Sequence, residues 1–503
     1  VKPIFNLIFV NLLKNDKIFS KINLLFFWSK TMKAINVLKG IIRIVIVLFL
    51  VAASALLIVS NVVKYGEKKA VIFVPGLLAS GLVNEEKGKP VWDPFVSEWN
   101  LMDMFDESTM MSMIGDFAVA AVSENMLGDI LSNSPDSIFN QIAMDENGVP
   151  VNKHVVPADF DTCETGQKYG ALRSFQRAYE AVNARYKNTG ADIRIYNYDW
   201  RIDNRINSAN LEKFINEKGY DKVILIGHSM GNVVIANYLA RNEENRNKTI
   251  AHLSYAGPMY GSLNALTTLE NFEGMAQMLY DMTDKIPLIG SGLRSEIDRV
   301  FAEQFTPLGM HLPTIAQLLP SPEMFDTPYC DGDKSFLYID GRPVKTREEL
   351  LSFYKTRKWS YTDDGSKVKC FVDDLGEYWD SFYVDTENGK VHASALVPTY
   401  YFAGVGTETT VAVYIENDEY VRSESDMQGD GTVPYYSATF NNTDKVFSEA
   451  ENKSDSRYIV SVPVKSHFEC GCDFKNETER ETFAYLDEAM NVDIAEFFKN
   501  LFA

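Results

Sequence analysis

Four apolar residues, Val223 to Ile226, run directly into Gly227-His228-Ser229-Met230-Gly231, and an amphipathic run from Val233 to Leu239 follows. Read physically, a buried strand ends at Gly227, turns sharply at Ser229 and continues as a helix. So tight a turn brings backbone against backbone, where a Cβ at either glycine would clash. The serine is left strained, with its hydroxyl above the sheet and a helix N-terminus pointing at it. The G-x-S-x-G pattern alone is weak, because serine in a glycine-rich turn is common in loops. The strand before it and the helix after it are what make Ser229 a candidate nucleophile.

The rest of the chain alternates in the same sense. Val71 to Val74 reads as a short apolar strand closed by Pro75-Gly76. Ala171 to Tyr186 reads as a helix, Ile193 to Tyr198 as a strand and Ile206 to Glu217 as a helix. Further strands are expected at Ile250–Ala256, Thr399–Val405 and Tyr458–Val464, and a last helix at Ile494–Phe502. Strands alternating with helices of this length predict a parallel sheet. The alternation is interrupted twice. Residues 93–160 are rich in Met and Phe with Asp and Ser between, as in an insertion. Residues 263–398 are mostly helical at first, then carry charged and aromatic hairpin-like stretches, and are long enough to form a cap. The expected organisation is therefore an extension at 1–69, core at 70–262 and 399–503, and a cap or lid at 263–398. No internal repeat is visible.

At 503 residues the chain exceeds what one hydrophobic core usually supports, consistent with insertions or two lobes. Apolar residues at 46% and aromatics at 12% exclude a disordered protein. The net charge of −20 argues against a nucleic-acid partner, which would need clustered Lys and Arg. The five cysteines, Cys163, Cys330, Cys370, Cys470 and Cys472, are too few for a disulfide scaffold and make no zinc spacing with the histidines. Sequons at Asn247, Asn441, Asn452 and Asn476 are about what an Asn-rich chain reaches by chance.

Residues 44–63 carry no charge, after Lys33, Lys39 and Arg43. Such a run spans about 30 Å as a helix, enough to cross a bilayer core. Two readings stay open: an uncleaved anchor with a cytoplasmic N-terminus, or a cleaved signal with Ala53-Ser54-Ala55 as its processing site. The anchor is preferred, and either one places the remainder outside the cytoplasm. The chain starts with Val, and Met32 is a plausible true start.

A nucleophilic serine needs a base, and the base needs an orienting carboxylate. In α/β-hydrolases, whose nucleophile elbow the Ser229 turn matches, these follow as Ser, then Asp or Glu, then His. Of the six histidines, His154 precedes the serine, His228 adjoins it and is expected to point away from the site, His252 lies in an apolar strand, and His311 and His392 fall in the cap. His467, after the last strand, is the expected base. Gly429-Asp430-Gly431 sets a carboxylate on a tight turn, which makes Asp430 the expected acid and Asp426 the runner-up. A calcium-loop reading of 426–437 fails, because its twelfth residue is Ser437 and no helix pair flanks it. Backbone N–H groups of Met230 and Leu77 are the expected oxyanion donors. None of this calls for a cofactor or a metal.

Several stretches together resemble the lecithin:cholesterol acyltransferase family, which includes lysosomal phospholipase A2 and phospholipid:diacylglycerol acyltransferases. They are Val74-Pro75-Gly76, Tyr198-Asp199-Trp200-Arg201, the Gly227–Gly231 turn, Gly257-Pro258 with Gly261-Ser262, Leu318-Leu319-Pro320, and Gly429-Asp430-Gly431-Thr432-Val433-Pro434. The resemblance implies an α/β-hydrolase fold with a large, mainly helical cap, a Ser229–Asp430–His467 triad, and Leu77 and Met230 as oxyanion donors. It also implies that part of 93–160 replaces the family's membrane-binding segment, with Asp199 to Arg201 structural. The disulfide-closed loop of animal members is absent, since no cysteine lies between Gly76 and Asp161. Trp92 is expected to meet lipid in its place.

The function implied is transfer of a fatty acyl group from a phospholipid or glycerolipid to a sterol, a diacylglycerol or water. The partners would be membrane phospholipids, a lipid acyl acceptor and the bilayer itself. A lipase or esterase without transfer is the alternative, and a non-catalytic lipid-binding protein the remote one.

Overall fold

The apolar segments between Lys69 and Pro463 pair into one sheet in which every neighbour is parallel. In the computed structural model, residues 67–92, 138–162, 176–186, 191–271, 311–360, 372–387, 389–440, 457–472, 478–487 and 489 are described. The central strands are β1 (Lys69–Val74), β2 (Asp192–Ile195), β3 (Lys222–His228), β4 (Thr249–Tyr255), β5 (Thr399–Val405) and β6 (Arg457–Pro463). Their order across the sheet is β6-β5-β4-β3-β1-β2. β1 sits between β2 and β3, with Val71 opposite Ile193 on one side and Ile224 on the other.

Burial on both faces explains why these strands read as nearly continuous apolar runs. Successive side chains alternate between faces. Ala70, Ile72 and Val74 join Val223 and Leu225 in one core layer, while Val71 and Phe73 join Ile224 and Ile226 in the other. The first layer is covered by helices α2 (Asn204–Glu217) and α3 (Met230–Arg241), through Leu211, Ile215, Val234 and Leu239. The second is covered by α1 (Gln176–Tyr186), through Ala178, Tyr179 and Val182. A mostly parallel sheet flanked by helices is thus the α/β architecture the alternation predicts.

Two smaller sheets border this core. Residues 82–84 pair antiparallel with 89–92 and with 155–157. A four-stranded sheet joins Leu337–Ile339 and Arg342–Pro343 to the hairpin Thr409–Glu416 and Glu419–Asp426. The stretch placed in the cap therefore shares backbone pairing with a hairpin that directly follows β5. Helices at Leu263–Asn271, Pro313–Gln317, Arg347–Thr356 and Leu375–Asp380 and a hairpin at 383–392 make up its other described parts.

One expectation is overturned. Trp92 does not face lipid: it is 2% exposed, donates from Nε1 to the Leu78 carbonyl at 2.7 Å, and lies 5.4 Å from the Trp200 ring. An indole with its N–H satisfied and its rings packed is a core group. Among the described residues no helix is long and apolar enough to cross a membrane. The expected membrane run at 44–63, most of the 93–160 insertion and the helix at 494–502 lie outside the described residues.

Candidate active site

β3 ends at His228, and α3 begins at Met230. Between them Ser229 takes φ 53° and ψ −130°, a conformation costly for a residue with a Cβ. The glycines around it permit the approach that forces this turn. A Cβ on Gly231 would stand 2.1 Å from the Val74 carbonyl oxygen, and one on Gly76 would stand 2.7 Å from the Ser229 Cβ. The loop after β1 is thereby laid against the serine. Asn232 secures the turn from below, its Nδ2 donating to the Ser229 carbonyl at 3.1 Å and to the Tyr255 carbonyl at 3.0 Å. His252 Nε2 in turn donates to Asn232 Oδ1 at 3.0 Å.

Asp430 and His467 come together. Asp430 is wholly buried and His467 is 4% exposed. His467 Nδ1 lies 2.8 Å from Asp430 Oδ2. The other carboxylate oxygen accepts the Thr432 and Val433 N–H groups at 3.0 and 2.8 Å. Burial pushes the Asp430 carboxyl up, but the His467 ring and these N–H donors outweigh it and hold the group below its ordinary value. An ionised Asp430 can only accept, so Nδ1 of His467 carries the proton of this hydrogen bond. Asp426, by contrast, turns its Oδ1 to the Gln428 N–H at 2.7 Å.

Ser229 and His467 border one hollow of about 450 Å³, together with Leu77, Pro258 and Val433. Met230 is the first residue of α3, so its N–H is one of those a helix cannot satisfy internally. Leu77 follows the Gly76 that packs on the serine. The structure thus gathers Ser229, Leu77, Met230 and His467 at the C-terminal edge of the sheet, with Asp430 behind the imidazole.

His228 has a place that the sequence reading missed. It does not point away from the site; it borders the same hollow and donates from Nε2 to the His467 backbone carbonyl at 3.2 Å. The two rings are 4.9 Å apart. Burial, with the His467 ring beside it, pushes its pKa down to about 3, so it stays neutral. The other histidines stand apart. His154 is exposed near Glu85 and Glu86, and His252 and His392 are buried, with pKa values pushed by burial to about 3. Asn232 was legible only as a polar residue inside an apolar helix.

A strained serine at a strand–helix turn and a histidine bonded to a buried carboxylate thus border one hollow of an α/β protein. Residues 170–328 match the family model for lecithin:cholesterol acyltransferase, the family whose motifs the chain resembles. That stretch holds the Tyr198–Arg201 motif and the Ser229 turn and stops short of Asp430 and His467. The match supports a lipid-modifying hydrolase or acyltransferase. No curated protein matches the chain. Among solved structures it is similar to the crystal structure of the Tle4–Tli4 complex, at 14% identity and a TM-score of 0.42, over 85% of this chain and 98% of that one.

Proposed function

We propose that this protein is a lipid acyltransferase or acylhydrolase of α/β-hydrolase type that works through an acyl-enzyme on Ser229. The observation that carries the reading is the 2.8 Å contact between His467 and a buried, ionised Asp430, beside a serine held at positive φ. His467 Nε2 would take the Ser229 hydroxyl proton as Oγ attacks the ester carbonyl of a phospholipid or glycerolipid. The oxyanion that forms would accept the Met230 and Leu77 N–H groups. Asp430 would stabilise the imidazolium, which then gives its proton to the departing alcohol oxygen. A second alcohol, such as a sterol or diacylglycerol, or water would repeat the sequence in reverse and release the acyl group. Whether transfer beats hydrolysis depends on how well the cap excludes water from the acyl-enzyme. We further propose that residues 44–63 anchor the chain, with this site outside the cytoplasm.

The test is incubation of the full chain with phosphatidylcholine or phosphatidylethanolamine vesicles, with and without sterol or diacylglycerol, beside Ser229→Ala. Mass spectrometry follows the products. Acceptor ester appearing in step with lysophospholipid is the expected transferase result, and free fatty acid without acceptor ester, abolished by the substitution, makes the protein a phospholipase or lipase. Products unchanged by the substitution would remove Ser229 from the chemistry.

A further inference from the structure

A second hollow is lined by the Pro258–Gly261 segment and by Gln317, Leu319 and Ser321. Pro258 borders both hollows, while Leu318 faces the one at Ser229 and Leu319 this one. Its lining includes the rings of Tyr260, Trp379, Phe382 and Tyr383, and no Lys or Arg. Glu323 supplies its one formal negative charge. That carboxylate is half-buried, accepts the Tyr383 hydroxyl on Oε1 at 3.0 Å, and has no basic partner among the described residues. Ser321, 5% exposed, also lines the hollow, and its Oγ is buried with no hydrogen-bond partner among the described residues.

We propose that this hollow binds a primary ammonium, that of an ethanolamine phospholipid head, with Glu323 and Ser321 as its hydrogen-bond acceptors. The assignment to a lipid head rests on the acyl-transfer reading above; the ammonium site itself does not. A half-buried carboxylate with no cation beside it attracts one, and aromatic rings add attraction for a cation placed among them. The buried Ser321 hydroxyl selects within that class. An –NH₃⁺ group donates three hydrogen bonds and satisfies both Oγ and the carboxylate, whereas a trimethylammonium donates none and leaves Oγ unpaired. Pro258 borders both hollows, and the proposal sets the head group in this one and the glycerol ester in the one at Ser229.

The test uses the full chain and mixed vesicles of phosphatidylethanolamine and phosphatidylglycerol with identical acyl chains, so the two lipids compete in one reaction. Mass spectrometry gives the ratio of the two lysolipids. We expect the ethanolamine lipid to be preferred about tenfold, and Glu323→Gln and Ser321→Ala each to bring the ratio toward one. Because the ratio is internal, partial loss of folded protein leaves it unmoved. A wild-type ratio near one, or a Glu323→Gln ratio equal to wild type, overturns the head-group assignment. A second arm titrates O-phosphoethanolamine and phosphocholine into the full chain by calorimetry. Binding of the first, weakened about tenfold by Glu323→Gln, supports the ammonium site even if no lipid is cleaved, in which case the acyl-transfer reading has failed instead. Phosphoethanolamine binding without lipid preference points to a soluble ammonium ligand and ends the lipid-head assignment. Equal binding of phosphocholine, or no binding of either, overturns the primary-ammonium site.

Discussion

Asp430 stays charged although it is wholly buried, because His467 and two backbone N–H groups compensate it. Asp430→Asn preserves the shape but removes the acceptor that fixes the proton on Nδ1, so the ring can hold its proton on the wrong nitrogen. We expect kcat for ester cleavage to fall by about 10³–10⁴-fold with little change in KM, read by steady-state kinetics on a soluble ester. His228 lies one step further out, bonded to the His467 carbonyl. His228→Leu leaves that carbonyl without this donor and loosens the imidazole's placement. A fall in kcat of about tenfold, with KM retained, is the expected result. A variant with unchanged kcat would reduce His228 to packing. Ser229, Asp430 and His467 were readable as candidates because each follows a strand, and the chain offers few histidines. His228 was not, since sequence adjacency to Ser229 says nothing of which loop crosses above it.

At the level of elements, the elbow depends on how closely α3 approaches β1. A methyl group at Gly231 meets backbone, which cannot rotate away, at 2.1 Å from the Val74 oxygen. Gly231→Ala should therefore cost about 1–3 kcal/mol of stability, measured by urea unfolding, and displace the serine. A value near zero would mean that the helix slides freely on the strand. The helix at Leu263–Asn271 is held differently. Glu270 there is buried and receives the Arg357 guanidinium on both oxygens, at 2.7 and 2.5 Å, and the Trp359 Nε1 at 2.7 Å. Removing one partner, as in Glu270→Ala, leaves the buried guanidinium with only the exposed Asp418 carboxylate and should cost about 2–4 kcal/mol; Glu270→Leu with Arg357→Met should recover most of that loss. Both are read from the same unfolding curves. The central strands and the elbow were legible from apolar runs and glycines. The Glu270–Arg357 pair was not, because its partners are far apart in sequence and no periodicity marks them. The same holds for the hairpin at 409–426, whose pairing with Leu337–Ile339 is a matter of tertiary contact.

Across the whole molecule, buried histidines set the response to acid. His228, His252 and His392 each have a pKa near 3 in the folded chain, against an ordinary 6.5, chiefly through burial. Between those values the unfolded chain takes up protons that the folded chain refuses. Stability is therefore full above pH 6.5 and falls as pH drops toward 3, with a slope of up to about 1.4 kcal/mol per pH unit for each histidine. Asp430 adds to the same trend lower down. Its contribution is present above its ordinary value of 3.8 and is lost as pH falls through its depressed folded value. Nothing in the acidic composition foretold this, because net charge does not report which titratable groups are buried. We expect urea midpoints of the full chain in detergent to decline steadily from pH 7 to pH 4.5. His392→Phe, which keeps a ring beside Phe382 and Phe440 at a position that no longer titrates, should lower that slope by about a third. A wild-type midpoint that stays flat over this range would mean that the three imidazoles accept protons without unfolding, and that their environments are more open to water than their burial indicates.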